Sequence, residues 1–372
     1  MLPLTRYLVH DMLNLAQSAD SSAAELTAGR GASRIAGPHA AMDPLNCDSR
    51  LPQTPIPFRV VVLMPVYQDW ECAALLCKSL DKELGRLRAV DVQILLVDDG
   101  SPHGIDSWPF LECKTVVQIS SLRLRTNVGH QRAICIGLCY IHDHVSCDAV
   151  LVMDADGEDR PDHAVRLIEL ARSHPDSVLF AERRKRQEHL AFRIGYDLFR
   201  IAHRLLTGIP VRVGNFSIIP FIILKRLTCM PELWNHFAGA VYRSRAPFEC
   251  LPMDRGRRLS GQSHMDLASL VAHGLGGIGT FHAMAATRIL ISTAICLVLI
   301  SGALFVVAGV RLMTNWAVAG WATYTMGLIL LLAVQLAAGA FNLVFTLISN
   351  RSNMPFVPSR DYSVFVDKVD SL

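Results

Sequence analysis

Asp154, Asp156 and Glu158 stand at alternate positions directly after the apolar run 149–152. In an extended chain the three carboxylates would point the same way. Such groups repel one another unless something cationic neutralises them. Hard oxygen ligands at this density suit Mg2+ or Mn2+ and leave room for the phosphates of a substrate. Taken alone, an Asp-x-Asp pair is as well explained by an acidic, solvated loop. What favours chemistry here is that matching features occur elsewhere in the chain.

The run 92–97 leads into Asp98, Asp99, Gly100 and Ser101, and the run 58–64 leads into Pro65, Val66, Tyr67, Gln68 and Asp69. Three apolar strands therefore each end in polar or acidic residues. Helical segments over roughly 70–87 and 129–144 separate them. Alternating strands and helices imply an α/β fold with a doubly wound, mostly parallel sheet, whose ligands bind outside the carboxyl ends of the strands. On that reading Asp98, Asp99, Asp154 and Asp156 converge on one crevice.

With these pieces in place, the chain resembles the GT-A glycosyltransferases of family 2, in the branch typified by dolichyl-phosphate mannose synthase and bacterial polyprenyl-phosphate glycosyltransferases. Residues 65–69, 98–101, 127–133, 154–161, 183–186, 214–217 and 258–263 carry the likeness, in the family's order, and it spans roughly residues 58–350. The resemblance implies a Rossmann-like GT-A domain. It places Pro65, Tyr67, Asp69, Asp98, Asp99, Gln131, Asp154 and Ala155 around the nucleotide sugar, and Asp154, Asp156 and Glu158 around the metal. Asp156, Arg183, Arg186 and Arg258 would carry the transfer, with Arg183 and Arg186 facing the acceptor phosphate and Arg258 the diphosphate. Four positions depart from the family pattern. Glu158 stands where most relatives have Gln, and Asp69 where many have Glu. Asn215 replaces a frequent Asp, and Ser263-His264 replaces a Ser-Lys pair.

Composition is that of a membrane-attached enzyme. The chain has 372 residues, 51% of them hydrophobic and only 19% charged, with a mean hydropathy of +0.31. The runs 289–310 and 327–348 contain no formal charge, and each is long enough to cross a bilayer. The short link 311–320 would make them a transmembrane hairpin, and Gln335 and Asn342 could bond across to the first helix or to a second copy of the chain. The link carries one basic residue, Arg311, whereas the flanks carry Arg288, Arg351, Arg360 and Lys368. That bias puts the catalytic domain and the tail on the cytoplasmic side of a multi-pass inner or plasma membrane protein. A net charge of +3 is too small to suggest nucleic acid. The basic segments 183–204 and 255–258 suit phosphates or anionic headgroups instead.

The remaining features say less. Residues 1–57 read as a variable or disordered extension with a proline-rich linker over 43–57, and lack the uninterrupted apolar core of a secretory signal. The ten cysteines are scattered without zinc-ligand spacing and read as small apolar side chains in a reducing compartment. His130 could donate to a phosphate or be satisfied structurally. The expected organisation is an extension over 1–57, a cytoplasmic catalytic domain with membrane-surface segments over 58–285, two transmembrane helices over 286–350, and a cytoplasmic tail over 351–372. The expected activity is inverting, metal-dependent transfer of a hexose from a UDP- or GDP-sugar to a polyprenyl phosphate. A different lipid or polysaccharide acceptor, or a non-catalytic scaffold, are the alternatives. The QxxRW signature of processive synthases is absent.

Overall fold

The computed structural model describes residues 57–103, 113–183, 190–209, 213–260, 267–314, 320–352 and 356–372. Residues 1–56, together with Arg186 and Ser263-His264, lie outside this set. The described part opens with β1 (Phe58–Val66), α1 (Trp70–Leu84), β2 (Val90–Asp98), β3 (Val116–Leu124), α2 (His130–His144) and β4 (Ala149–Val152). It continues through α3 (Pro161–Ala171), β5 (Val178–Arg183), α4 (Leu190–Thr207), β6 (Val213–Pro220), α5 (Phe221–Leu227), α6 (Phe237–Ser244) and β7 (Phe248–Met253). Then come α7 (Leu267–Thr280), two long helices, α8 (His282–Met313) and α9 (Trp321–Ser352), and a last strand, β8 (Val366–Ser371).

All eight strands form one sheet in the order β7-β5-β6-β4-β1-β2-β3-β8. The pairs β1–β2, β1–β4, β2–β3 and β5–β7 are parallel, and β4–β6, β5–β6 and β3–β8 are antiparallel. Strand β1 shows why both faces need cover. Val61 and Leu63 enter one core with Ile134, Leu138 and Ile141 of α2. Val60, Val62 and Met64 enter the other with Leu76 and Leu80 of α1 and Leu167 and Ile168 of α3. A strand buried on both faces reads as a continuous apolar run, the pattern seen over 58–64. The mixed α/β sheet agrees with the expected class.

Helix α2 sits tightly on this sheet. A Cβ at Gly137 would lie 2.5 Å from Leu63 Cδ1 and 2.8 Å from Val97 Cγ2. Leu63 and Val97 are themselves fully buried, so neither has space to move into.

Helices α8 and α9 pack against each other and extend beyond the uncharged runs at both ends, because helical hydrogen bonding continues through the polar flanks. Their most apolar windows have mean hydropathies of 2.7 and 2.3, with none of either window buried. Phe305, Leu312, Tyr324 and Phe341 are among the exposed side chains. Arg288 near the start of α8 donates to the carbonyls of Arg204 (3.2 Å) and Leu205 (2.8 Å) at the end of α4. A cation there also meets the negative end of that helix.

After α9, residues 356–372 pack against the sheet. Strand β8 pairs with β3, Arg125 N donates to Phe365 O at 2.9 Å, and Leu372 N donates to Ile119 O at 2.9 Å. Trp234 packs against Phe356 and Phe365, with centroids 4.3 and 5.0 Å away. The run 366–371 sets Val366 and Val369 among charged or polar residues and so suits an exposed edge, whose charges block further pairing.

The close fit under α2 has a measurable consequence. Gly137→Val should overpack the sheet and cost about 1–3 kcal/mol. It should lower the melting temperature of the solubilised protein; an unchanged melting curve would show that the strands beneath give way freely.

Candidate active site

Four strand ends and two later segments build the site. Beyond β1, Gln68 takes a left-handed backbone conformation (φ 58°), and its N–H donates to Ser101 Oγ at 3.0 Å. Asp99 N donates to Val66 O at 2.9 Å, which ties the end of β2 to the end of β1. Pro65 pairs in register with Val97 inside the sheet, and Tyr67 is exposed at the strand end.

Asp98 and Asp99 are both buried and both hold backbone. Asp98 accepts from Ser101 N at 2.9 Å and lies 3.9 Å from Arg123 Nε. Asp99 accepts from Val128 N at 2.7 Å and Gly129 N at 3.0 Å, and so sets the turn that starts α2. Gly100, at φ 69°, passes so close to this turn that a Cβ would lie 2.5 Å from the carbonyl carbon of Thr126. Only glycine fits both the conformation and the approach.

The loop after β4 is held by its own residues. Asp159, buried, accepts from Asp154 N at 2.9 Å, and Asp156 accepts from Glu158 N at 3.0 Å. Gly157 has φ 84° and lies under Leu259, whose Cγ would be 2.4 Å from a Cβ there. Ala155 is buried beneath the loop. Around the rim each carboxylate faces a basic side chain. His130 Nε2 is 3.2 Å from Asp154 Oδ1. Arg258 lies 2.5 Å from Asp69 Oδ2 and 3.5 Å from Asp156 Oδ2. Arg255 pairs with Glu158. Burial disfavours the His130 imidazolium, but Asp154, Asp99 and Asp159 outweigh it, so its pKa is raised. His130 is therefore assigned a place at the acidic rim that spacing alone left open between two roles.

Gln131 has a bridging position. Its Nε2 donates to Asn215 Oδ1 at 2.9 Å, and its Oε1 accepts from Phe237 N at 2.8 Å, linking α2 to β6 and α6. Asn215 also lies 3.0 Å from His130 Nε2. Arg183 ends β5 in register with Met253, the residue before the segment that carries Arg255 and Arg258.

The geometry thus brings Asp69, Asp154, Asp156, Glu158 and Arg258 together, and sets Asp98, Asp99 and Gln131 to hold loops around them. Among the described residues, no three His, Cys, Asp or Glu side chains converge as a metal-binding group. Asp154 and Asp156 are the donor pair whose chemistry fits a hard divalent ion, since such ions take one or two carboxylates and complete their shell from phosphate oxygens and water. Glu158 is turned to Arg255 instead. Asp159, Glu71, Cys72 and Ser260 join the site unanticipated. Asp159 was legible only as one more acid in the loop, and the contact of Cys72 Sγ with Ser260 O at 3.0 Å joins residues far apart in the chain.

Burial pushes the Asp99 carboxyl up to about 6, against the two amides and His130. Between the unfolded value of ~4 and ~6 the folded state keeps a proton that the unfolded chain has released. The resulting stability is fully present below about pH 4 and is lost as pH rises through ~6. Measured as a difference from Asp99→Asn, wild-type stability should fall across this window by at most ~1.4 kcal/mol per pH unit. A pH-independent difference would contradict the assignment.

Residues 61–242 match the family model for glycosyl transferase family 2. The prophage bactoprenol glucosyl transferase homolog of Escherichia coli K12 is 23% identical over 228 residues, covering 60% of this chain and 73% of that protein. The undecaprenyl-phosphate 4-deoxy-4-formamido-L-arabinose transferase of Erwinia tasmaniensis is 35% identical over 223 residues, covering 57% of this chain and 65% of that protein. Among solved structures, glucosyl-3-phosphoglycerate synthase of Mycobacterium tuberculosis, in complex with Mn2+, UDP and glucosyl-3-phosphoglycerate, aligns with a TM-score of 0.42 at 16% identity, over 61% of this chain and 80% of that one. The acidic loop and the strand ends that surround it in this α/β sheet lie within the span, residues 61–242, that matches glycosyl transferase family 2.

Proposed function

We propose that the protein transfers a hexose, with inversion, from a UDP- or GDP-sugar to a polyprenyl phosphate at the cytoplasmic face of the inner or plasma membrane. The observation that carries this reading is the meeting of Arg258 with Asp69 and Asp156 at the carboxyl ends of β1 and β4, beside Asp154 and its partner His130, in a chain whose last two helices are apolar and unburied. The names of the related E. coli and Erwinia proteins, a bactoprenol glucosyl transferase homolog and an undecaprenyl-phosphate 4-deoxy-4-formamido-L-arabinose transferase, support the acceptor class.

The acceptor phosphate, with a second pKa of about 6, is largely dianionic at neutral pH and needs no strong general base. One of its oxygens attacks the anomeric carbon, the bond to the diphosphate breaks, and an alpha-linked donor becomes a beta-linked product. The protein's task is to position the reactants and compensate charge. Pro65, Tyr67 and Asp69 would line the base and ribose, with Asp98, Asp99, Gln131 and Ala155 supporting them. Asp154 and Asp156 would hold Mg2+ or Mn2+, which when bound offsets the charge that grows on the leaving group. Arg258, which contacts Asp69 and Asp156, would reach the diphosphate. Arg183 and Arg186 would hold the acceptor phosphate with the planar fork that guanidinium offers.

Helices α8 and α9 serve in this reading as the membrane hairpin of a catalytic unit over 58–285, with Ile201 and Leu205, exposed on α4 beside α8, at the membrane surface. Gln335 and Asn342 are exposed on the hairpin, where they would bond across to a second copy. Strand β8 supports the topology. Because it joins the same sheet as β1, it favours a hairpin with both ends on the catalytic side. The basic flanks favour the cytoplasm for that side.

Two measurements test this. Membranes supplied with radiolabelled nucleotide sugars and undecaprenyl or dolichyl phosphate should yield labelled lipid. Asp156→Ala should reduce that yield by at least ~10²–10³ without altering folding or membrane association. Near-normal turnover at saturating Mn2+ would sink the assignment. In sealed vesicles, a tag after residue 372 and a tag in the catalytic domain should be cleaved by added protease together or not at all; protection of only one would refute the hairpin.

A further inference from the structure

Residues 254–260 run on from β7 and lie across the β4–α3 loop as a strap. Two backbone bonds seat it, Gly256 N to Glu158 O at 2.8 Å and Leu259 N to Asp156 O at 3.0 Å. Its far end is fastened by Ser260, whose hydroxyl donates to Glu71 Oε2 at 3.0 Å and whose carbonyl accepts from Cys72 Sγ at 3.0 Å. Between these points Arg255 meets Glu158 and Arg258 meets Asp69 and Asp156. Guanidinium groups thus stand against two of the three carboxylates that the sequence pattern offers to a metal.

An acidic loop of this density needs compensation in every state of the enzyme. The pair Arg255–Glu158 retains partial solvent access, with side chains 31% and 14% exposed, and ion pairs at such sites are weak. A diphosphate is a stronger partner for arginine than a single carboxylate, because it presents more charge in a bidentate geometry.

Building on the donor site proposed above, we propose that Arg255 is an internal counter-ion that competes with the divalent cation for the acidic loop. With donor absent it holds Glu158 and keeps the strap down. The donor's diphosphate draws Arg255 and Arg258 off the carboxylates, so that metal and nucleotide bind cooperatively. Linkage requires the coupling to be equal in both directions.

The test is Mn2+ binding to the full-length protein in detergent, followed by the paramagnetic resonance of free Mn2+, without nucleotide and then with UDP and GDP in turn. Wild type should bind Mn2+ more tightly with one of the nucleotides present. Arg255→Gln should bind Mn2+ alone about three- to tenfold tighter, the scale of one partly screened charge. It should lose a similar factor of nucleotide coupling. Arg255→Lys should stay near wild type, and the double variant Arg255→Gln/Glu158→Gln should lose the tightening, because the freed Glu158 supplies it. Glu158→Gln alone should leave nucleotide-free affinity near wild type. A large weakening in Glu158→Gln would mean that Glu158 is already a ligand and would overturn the proposal without requiring Arg255→Gln to fold. Normal wild-type coupling with unchanged Mn2+ affinity in a folded Arg255→Gln would overturn the counter-ion role and leave the donor site standing. Absence of Mn2+ binding by wild type with either nucleotide would remove the donor-site reading as well.

Discussion

Mutual repulsion among the carboxylates at the sheet's carboxyl edge is the constraint around which the catalytic part is arranged. Asp154, Asp156 and Glu158 lie within five residues, and Asp69 approaches from the end of β1. Each faces a basic side chain drawn from elsewhere in the chain, His130 from α2 and Arg255 and Arg258 from the strap after β7. Folding can bring the acids together only because these partners arrive with them.

The buried acids solve a different problem. Asp98, Asp99 and Asp159 spend their oxygens on backbone amides of the turns that shape the crevice. A loop that must stay fixed near a charged ligand has backbone N–H groups needing partners, and a carboxylate is a strong acceptor for them. Their burial carries a cost, visible in the raised pKa of Asp99. The acidic residues of this region therefore divide into those that hold loops and those that face the crevice.

The apolar hairpin and the sheet are joined through the residues after α9. Strand β8 and the Trp234 aromatic cluster attach the chain after α9 to the sheet, while Arg288 attaches the start of α8 to the end of α4. The catalytic unit is thus held at both ends of the apolar hairpin, which restricts how it can tilt relative to that hairpin. A reaction between a soluble donor and a lipid-borne phosphate benefits from such restriction, since the attacking oxygen must reach the anomeric carbon in a narrow range of geometries.

The sequence by itself determined the α/β class, the three strand ends, the acidic loop and the two apolar helices. These rest on local periodicity and on residue type, and a continuous apolar run such as 149–152 has few other uses. Tertiary structure decided which acids face the crevice. Nothing local distinguishes Asp98 and Asp99, which hold turns, from Asp156, which meets Arg258. It also decided that Arg255 and Arg258 meet carboxylates of the loop, that His130 belongs with Asp154, and that residues 366–371 close the sheet beside β3. Each of these depends on contacts between residues far apart in sequence. Their partners are chosen by how β7, α2 and the returning tail pack around one sheet, and side-chain spacing along the chain holds no record of that packing.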